Sequence, residues 1–319
     1  MRTSIAILSL GWAGFVGCAA PERPSAATPS TAAASETASL DGGHATANPA
    51  TATAGAPALT LKVFTSSPEG FLVNSTLVSG AHDAILIDAQ FVLSDAKNLV
   101  AEIKATNKHL TTVYVTHFHP DHYFGFGVVK EAFPDAKLVA LPETVKEIQA
   151  TALAKVKQWQ PMFKDNIPVK PIVPEPIQGN TLLLEGEKLE VFGGQQGDTP
   201  DSSYVYIPSL SAVVCGDIVY SGVFPWTAES TAEQHKSWLQ TLDRIAALNP
   251  KVVVAGHQRP EAGTAPSSLA FMKSYLKSYD EVLASSKTAA DAESKLKALY
   301  PDLGSDFSLK LGLESAYER

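Results

Sequence analysis

His117-Phe118-His119-Pro120-Asp121-His122 places three imidazoles and a carboxylate within six residues. These are the side chains that suit zinc and its first-row neighbours as ligands. The flanking residues say where the run sits. Leu110-Thr111-Thr112-Val113-Tyr114-Val115 is apolar and β-branched and predicts a buried strand, while Tyr123 to Ala132 can carry a helix away from it. The run is therefore expected on a strand-to-helix loop. In extended backbone, residues two apart project to the same side, so His117 and His119 can reach one metal ion while Asp121 and His122 diverge towards a second.

Two later segments repeat the arrangement of a short apolar run that ends in a ligand-type side chain: Val214-Cys215-Gly216-Asp217 and Val252-Val253-Val254-Ala255-Gly256-His257. An Asp after a Gly is, taken alone, a turn residue. Following the first run in this order, the segments resemble the metallo-β-lactamase superfamily, whose first motif reads His-x-His-x-Asp-His. Val214 to Asp217 is similar to the family segment that ends in a metal-bridging Asp, and Val252 to His257 to its last strand and closing His. The resemblance runs from about Leu59 to Pro260. It implies an α/β fold of the αββα sandwich type, with the sites along the shared edge of two sheets.

The family pattern Gly-His-Thr-Pro-Gly-Ser reads Gly197-Asp198-Thr199-Pro200-Asp201-Ser202 in this chain, so Asp198 stands where a metal-binding His is expected. Asp198 is either a hard oxygen ligand that adds a negative charge or a turn residue beside a weakened first site. Gln195 and Gln196 are poorer, amide ligands within reach. The resemblance implies two divalent metal ions, zinc foremost, with manganese or iron as alternatives at the Asp198 site. It assigns His117, His119 and Asp198 to the first metal, and Asp121, His122 and His257 to the second, with Asp217 bridging. Asp121 is also the expected acceptor of the proton from the attacking water.

Of the 319 residues, 45% are apolar, enough for a sizeable core. Met1-Arg2 and the apolar run from Ile5 to Gly17 have the length of a secretory signal rather than a membrane span. Phe15-Val16-Gly17-Cys18 resembles a bacterial lipobox with Phe in place of the usual Leu. Residues 1–18 are thus expected to be a signal peptide, with a lipid anchor on Cys18 that holds the exported protein to a membrane of the cell envelope. Residues 19–58 are rich in Ala, Thr, Ser and Pro and predict a disordered tether with a reach of about 35 Å. Residues 59–319 form the expected catalytic domain, helical from 264 onwards. Cys18 and Cys215 are the only cysteines, and Cys215 reads as a buried small hydrophobe.

Strands are expected over 59–65, 71–78 and 84–88 as an antiparallel meander. Helix 93–106, the central strand and helix, strand 137–141 and helix 143–164 follow. A second set comprises strands 181–184, 188–192, 203–207 and 212–215, helix 231–248 and strand 252–255. Amphipathic helices at 270–283 and 289–299 close the chain.

Hydrolysis of an ester- or amide-like bond in a small-molecule substrate is the implied reaction. Zinc β-lactamases often carry a Lys shortly after the bridging ligand, but here Asp217 is followed by Ile218, Val219, Tyr220, Ser221 and Gly222. Tyr220 matches the spacing at which the family's lactonases carry a Tyr that donates to the substrate carbonyl, which favours a lactonase-like activity over a β-lactamase. Either Tyr220 has that role or it packs in the core. Phe224, Trp226, Trp159, Met162 and Phe163 are candidates for an apolar pocket wall. A catalytically impaired binding domain and an iron redox variant are the other readings. A formal net charge of −8 without a basic stripe disfavours nucleic acid as a partner.

Overall fold

The structure is a computed structural model that describes residues 59–318. The expected signal peptide, the lipobox at Cys18 and the tether over 19–58 lie outside the described residues.

β1 (Thr60–Thr65), β2 (Asn74–Ser79) and β3 (Asp83–Ile87) form the antiparallel meander. α1 (Leu93–Ala105) buries Ala96, Leu99, Val100 and Ile103, the spacing of one helix face, and returns the chain to β4 (His109–Tyr114), parallel to β3. α2 (Phe126–Ala132), β5 (Lys137–Ala140), α3 (Pro142–Phe163) and the short β6 (Glu175–Pro176) complete a six-stranded sheet in the order β1-β2-β3-β4-β5-β6. The chain then starts a second sheet with β7 (Thr181–Leu184), β8 (Glu187–Gln195), β9 (Ser202–Ile207) and β10 (Ala212–Val214), joined antiparallel. β11 (Tyr220–Ser221) and α4 (Ala232–Ala247) precede β12 (Val252–Val254), which lies parallel to β10 and gives the order β12-β10-β9-β8-β7. β13 (His257–Gln258) pairs with β11, and α5 (Ser267–Ser285), α6 (Ala289–Leu299) and α7 (Asp306–Glu318) follow.

The two-residue period of the strands sorts their side chains into layers. Ile85 and Ile87 of β3 turn inward with Val78, Tyr114 and Val139 to meet Leu184, Leu189, Val191, Val205, Val214 and Val254 of the second sheet. Leu86, between them, turns outward with Val113 and Leu138 onto Leu99, Ile103, Ile148 and Val156 of α1 and α3. On the far side, Val213 and Val253 pack under Trp238 and Leu242 of α4 and Met272 and Leu276 of α5. The result is the helix, sheet, sheet, helix layering expected from the sequence. α6 and α7 join α5 in a further cluster around Tyr275, Leu296, Leu309 and Leu313.

Three local departures from the sequence reading bear on the site. Phe71 and Leu72 adopt left-handed backbone (φ 65° and 60°), so β2 starts at Asn74 rather than at Phe71. Residues Pro120–His122 form a 3-10 turn, and the helix after the His run starts only at Phe126. α7 is an element the sequence reading did not separate from the helices before it.

Candidate metal centre

The His run leaves the carboxyl end of β4, at the edge where β10 and β12 also end. The 3-10 turn splits the run as its spacing predicts: His117 and His119 gather with Asp198 and Asp217, while Asp121 and His122 gather with Asp217 and His257. Within each group the donor atoms lie within 4.8 Å of one another. Asp198 comes from the β8–β9 loop, Asp217 from the turn after β10, and His257 from β13. The structure thus brings all seven sequence-derived ligand candidates into two groups that share Asp217.

Asp217 is buried between the groups. Its Oδ1 lies 3.1 Å from His122 Nε2, and its Oδ2 lies 3.2 Å from His257 Nε2 and 3.8 Å from His117 Nε2. Backbone compactness makes this position: a Cβ on Gly256 would meet the Asp217 carboxylate, and Gly216 takes φ 50° with Thr116 Oγ1 2.6 Å from where its Cβ would be. Asp198 Oδ2 lies 2.9 Å from His119 Nδ1 and 3.9 Å from His117 Nε2, and Asp121 Oδ2 lies 3.1 Å from His257 Nε2.

A cation fits this donor set. His117 Nε2, His122 Nε2, Asp198 Oδ2 and Asp217 Oδ1 are buried yet have no hydrogen-bond partner, although neighbours stand within 3.9 Å. Buried polar atoms left unpaired in this way carry a desolvation cost that a shared cation would remove. The electrostatics agree. Burial pushes the His119 and His257 imidazolium forms down, but Asp198 and Glu229 for the one, and Asp217 and Asp121 for the other, outweigh it and hold each at about 10. Burial lifts Asp198 to about 6 against the pull of His119, with the charge of Asp217 adding to the rise. Burial and the neighbouring His122 hold His117 well below the usual imidazole range, as a neutral ligand must be. The cluster is short of positive charge, and a dication supplies it.

Each imidazole has its outer nitrogen engaged. His122 Nδ1 donates to Asp88 Oδ2 at 2.8 Å, His257 Nδ1 to Phe71 O at 2.8 Å, and His119 Nε2 to Glu229 Oε2 at 2.6 Å; His117 Nδ1 lies 3.2 Å from Thr116 Oγ1. Asp88 also accepts from Thr116 N and Oγ1. Such partners fix the ring orientation and the tautomer. Asp88 and Glu229 were missed by sequence reasoning: Asp88 reads as the end of a strand, and nothing local to Glu229 signals a contact 110 positions away.

Tyr220 is buried; its hydroxyl donates to Asp217 Oδ2 at 2.7 Å and its ring stacks on His257. In this structure the hydroxyl therefore orients the shared carboxylate. Gln195 and Gln196 turn elsewhere, to Arg244 and Gly193 and to Gly197 O. Phe163 and Phe224 are buried in the core, Met162 is exposed, and Trp159 stands in an aromatic cluster with Phe71, Phe91 and Phe307. Cys215 is fully buried and burial pushes its thiol up, in keeping with a packing role.

The family model of the metallo-beta-lactamase superfamily matches residues 68–257, more than half of the chain and the stretch that holds every candidate ligand. The chain belongs to the metallo-β-lactamase superfamily. Members of this superfamily are generally metal-dependent hydrolases. The chain is similar to an uncharacterized protein, YobT, of Bacillus subtilis (strain 168), at 26% identity over 203 residues, 60% of this chain and 84% of the relative. Among solved structures it resembles a metallo-beta-lactamase family protein from Thermus thermophilus at 23% identity and a TM-score of 0.58, with 81% of this chain and 91% of that one covered. It also resembles a metallo-beta-lactamase from Pontibacter korlensis at 22% identity and a TM-score of 0.52, with 70% and 97% covered. These likenesses show the metallo-β-lactamase fold.

Proposed function

We propose that the chain is an exported hydrolase that uses two divalent metal ions to cleave an ester-like bond in a small molecule, lactones foremost. The observation that carries the two-metal reading is the sharing of Asp217 by two groups of ligand-type side chains, each with buried donor atoms that lack a hydrogen-bond partner. His117, His119 and Asp198 would hold the first ion, Asp121, His122 and His257 the second, and Asp217 both. Ions bound there supply a water of lowered pKa and polarise the scissile carbonyl.

The chain's own groups do the rest. Asp121, only 14% exposed along its side chain, accepts the proton of the attacking water, since it is the least enclosed carboxylate of the second group. Tyr220 keeps Asp217 oriented; donation to a substrate carbonyl would require it to exchange that bond. The ester reading over a β-lactam rests on the turn after Asp217: Ile218, Val219 and Tyr220 are buried, and no Lys stands there to hold a substrate carboxylate. Zinc is the ion we favour, with manganese or iron as the alternatives at the oxygen-rich first site.

Metal analysis of the purified chain followed by a screen of lactones, β-lactams, thioesters and phosphodiesters tests this reading. We expect two ions per chain and turnover of lactones above the rest. Preferred turnover of β-lactams would replace the substrate assignment, and metal without turnover would make the domain a binding relic. Asp217→Asn should release both ions; retention of one would show that Asp217 is not shared.

A further inference from the structure

We propose that Glu229 is the positioning residue of the first metal, through a hydrogen bond that fixes which nitrogen of His119 faces the ion. This rests on the reading of His119 as a metal ligand and adds a residue to that site. An imidazole that offers one nitrogen's lone pair to a cation must carry its proton on the other nitrogen. His119 turns Nδ1 towards Asp198 Oδ2 at 2.9 Å and Nε2 to Glu229 Oε2 at 2.6 Å. The Glu229 carboxylate can only accept, so it keeps a proton on Nε2; with a cation between Nδ1 and Asp198, Nδ1 is then the nitrogen left to offer its lone pair.

The centre then has one carboxylate-backed imidazole in each half: Asp88 behind His122 and Glu229 behind His119. The two are built differently. Asp88 is sealed in the core by the end of β4, whereas Glu229 is 28% exposed along its side chain and belongs to the loop before α4. Lys155 of α3 holds the other oxygen, Oε1, at 3.2 Å, with its ammonium 5.9 Å from the Phe118 ring centroid. The pair of Glu229 and Lys155 adds no net charge to a site already made more negative by Asp198. It directs His119 rather than charging the centre.

The loop is fastened on both sides of Glu229. Ser315 of α7 donates to Ala228 O at 2.7 Å, and Ser230 Oγ lies 3.0 Å from His235 Nε2, whose Nδ1 donates to Asp280 Oδ1 at 2.6 Å. Thr231 and Gln234 close a capping box at the first turn of α4. The backbone that carries Glu229 is thus anchored to α4, α5 and α7, while Lys155 of α3 holds its carboxylate beside a ligand from the opposite sheet.

The test is metal affinity measured separately for the two sites, by chelator competition with zinc on the full chain and by the ligand-field spectrum of the cobalt form. Loss of such a partner weakens metal binding about 10–100-fold. Glu229→Ala should weaken the first ion towards the upper end of that range, alter the cobalt bands of that site and leave the second ion's affinity as it was. Glu229→Gln keeps the shape and an acceptor oxygen but not the charge, and should fall at about tenfold. Lys155→Met should lie between the wild type and Glu229→Ala. Wild-type affinity for the first ion in the Gln and Ala variants overturns the proposal while the two-metal reading stands. Equal weakening of both ions overturns it too, since that is general loosening. A wild-type chain that takes up no metal overturns both.

Discussion

Asp198 is the residue at which this chain parts from the family pattern it otherwise follows, and its surroundings argue that the difference is chemical. Its carboxylate is fully buried, with Oδ2 lacking a hydrogen-bond partner while it stands 2.9 Å from His119 Nδ1. A turn residue would show its side chain to solvent or bond its own backbone. A carboxylate in place of an imidazole makes the first site harder, so Asp198→His should shift its preference towards zinc and away from manganese, read by competition titration of both forms. Turnover should rise in the zinc-loaded variant if the native carboxylate leaves that site part-filled. Identical selectivity in the two proteins would mean that Asp198 does not touch the ion. The sequence made this residue legible only because the segments around it kept their order; Glu229 had no such frame and became visible only when the fold brought it to His119.

Elements were legible where period and turn chemistry agreed, and illegible where a tertiary contact overrode them. α1 and α4 follow their hydrophobic periods closely, and β4 follows its apolar run. The start of β2 does not: Phe71 and Leu72 read as strand residues, yet they take left-handed backbone and bring Phe71 O to His257. The turns at the far end of the sheets hold a contact that no local signal marked. Glu185, between β7 and β8, accepts from the backbone N–H groups of Ala81, His82 and Asp83 at 2.8, 2.6 and 2.7 Å, and so ties the second sheet to the β2–β3 turn of the first. Those three hydrogen bonds, from Asp83, His82 and Ala81 in falling strength, lower its carboxyl from the usual 4.5 to about 2. A depressed folded-state value means stability that is present above pH 4.5 and is lost as pH falls towards 2. Glu185→Gln should flatten that part of the acid-unfolding curve and lower stability near neutrality; an unchanged acid limb would show that the contact does not form in solution.

Across the whole molecule, the two sheets occupy consecutive stretches of chain, β1 to β6 and then β7 to β12, and the candidate ligands divide between them. His117, His119, Asp121 and His122 follow β4 of the first, Asp198 and Asp217 lie on loops of the second, and His257 stands on β13, just after its last strand. Bound ions would therefore fasten one half to the other. At free metal about a thousand times Kd, each ion should add about 4 kcal/mol to stability, so chelation should lower Tm, read by calorimetry with and without a chelator. A melting point indifferent to chelator would exclude occupied sites in the protein as purified. The proposed location is a separate matter and rests on residues outside the described structure. Cys18→Ser should move the protein from the membrane fraction to the soluble one, because the thiol is the proposed acylation point. Equal fractionation of both forms would remove the lipid anchor from the account.

The division of ligands between consecutive halves also sets when the centre can be filled. The His run is synthesised early, but the complete donor set exists only after His257 has been made and β13 has settled beside Val73 and β11. Loading of the second group would therefore wait for His257, whereas the first group is complete in sequence at Asp217. Because supply joins ligand type in deciding which divalent ion fills such sites, export as proposed would make the compartment in which folding ends, rather than the one in which translation begins, the source of that ion.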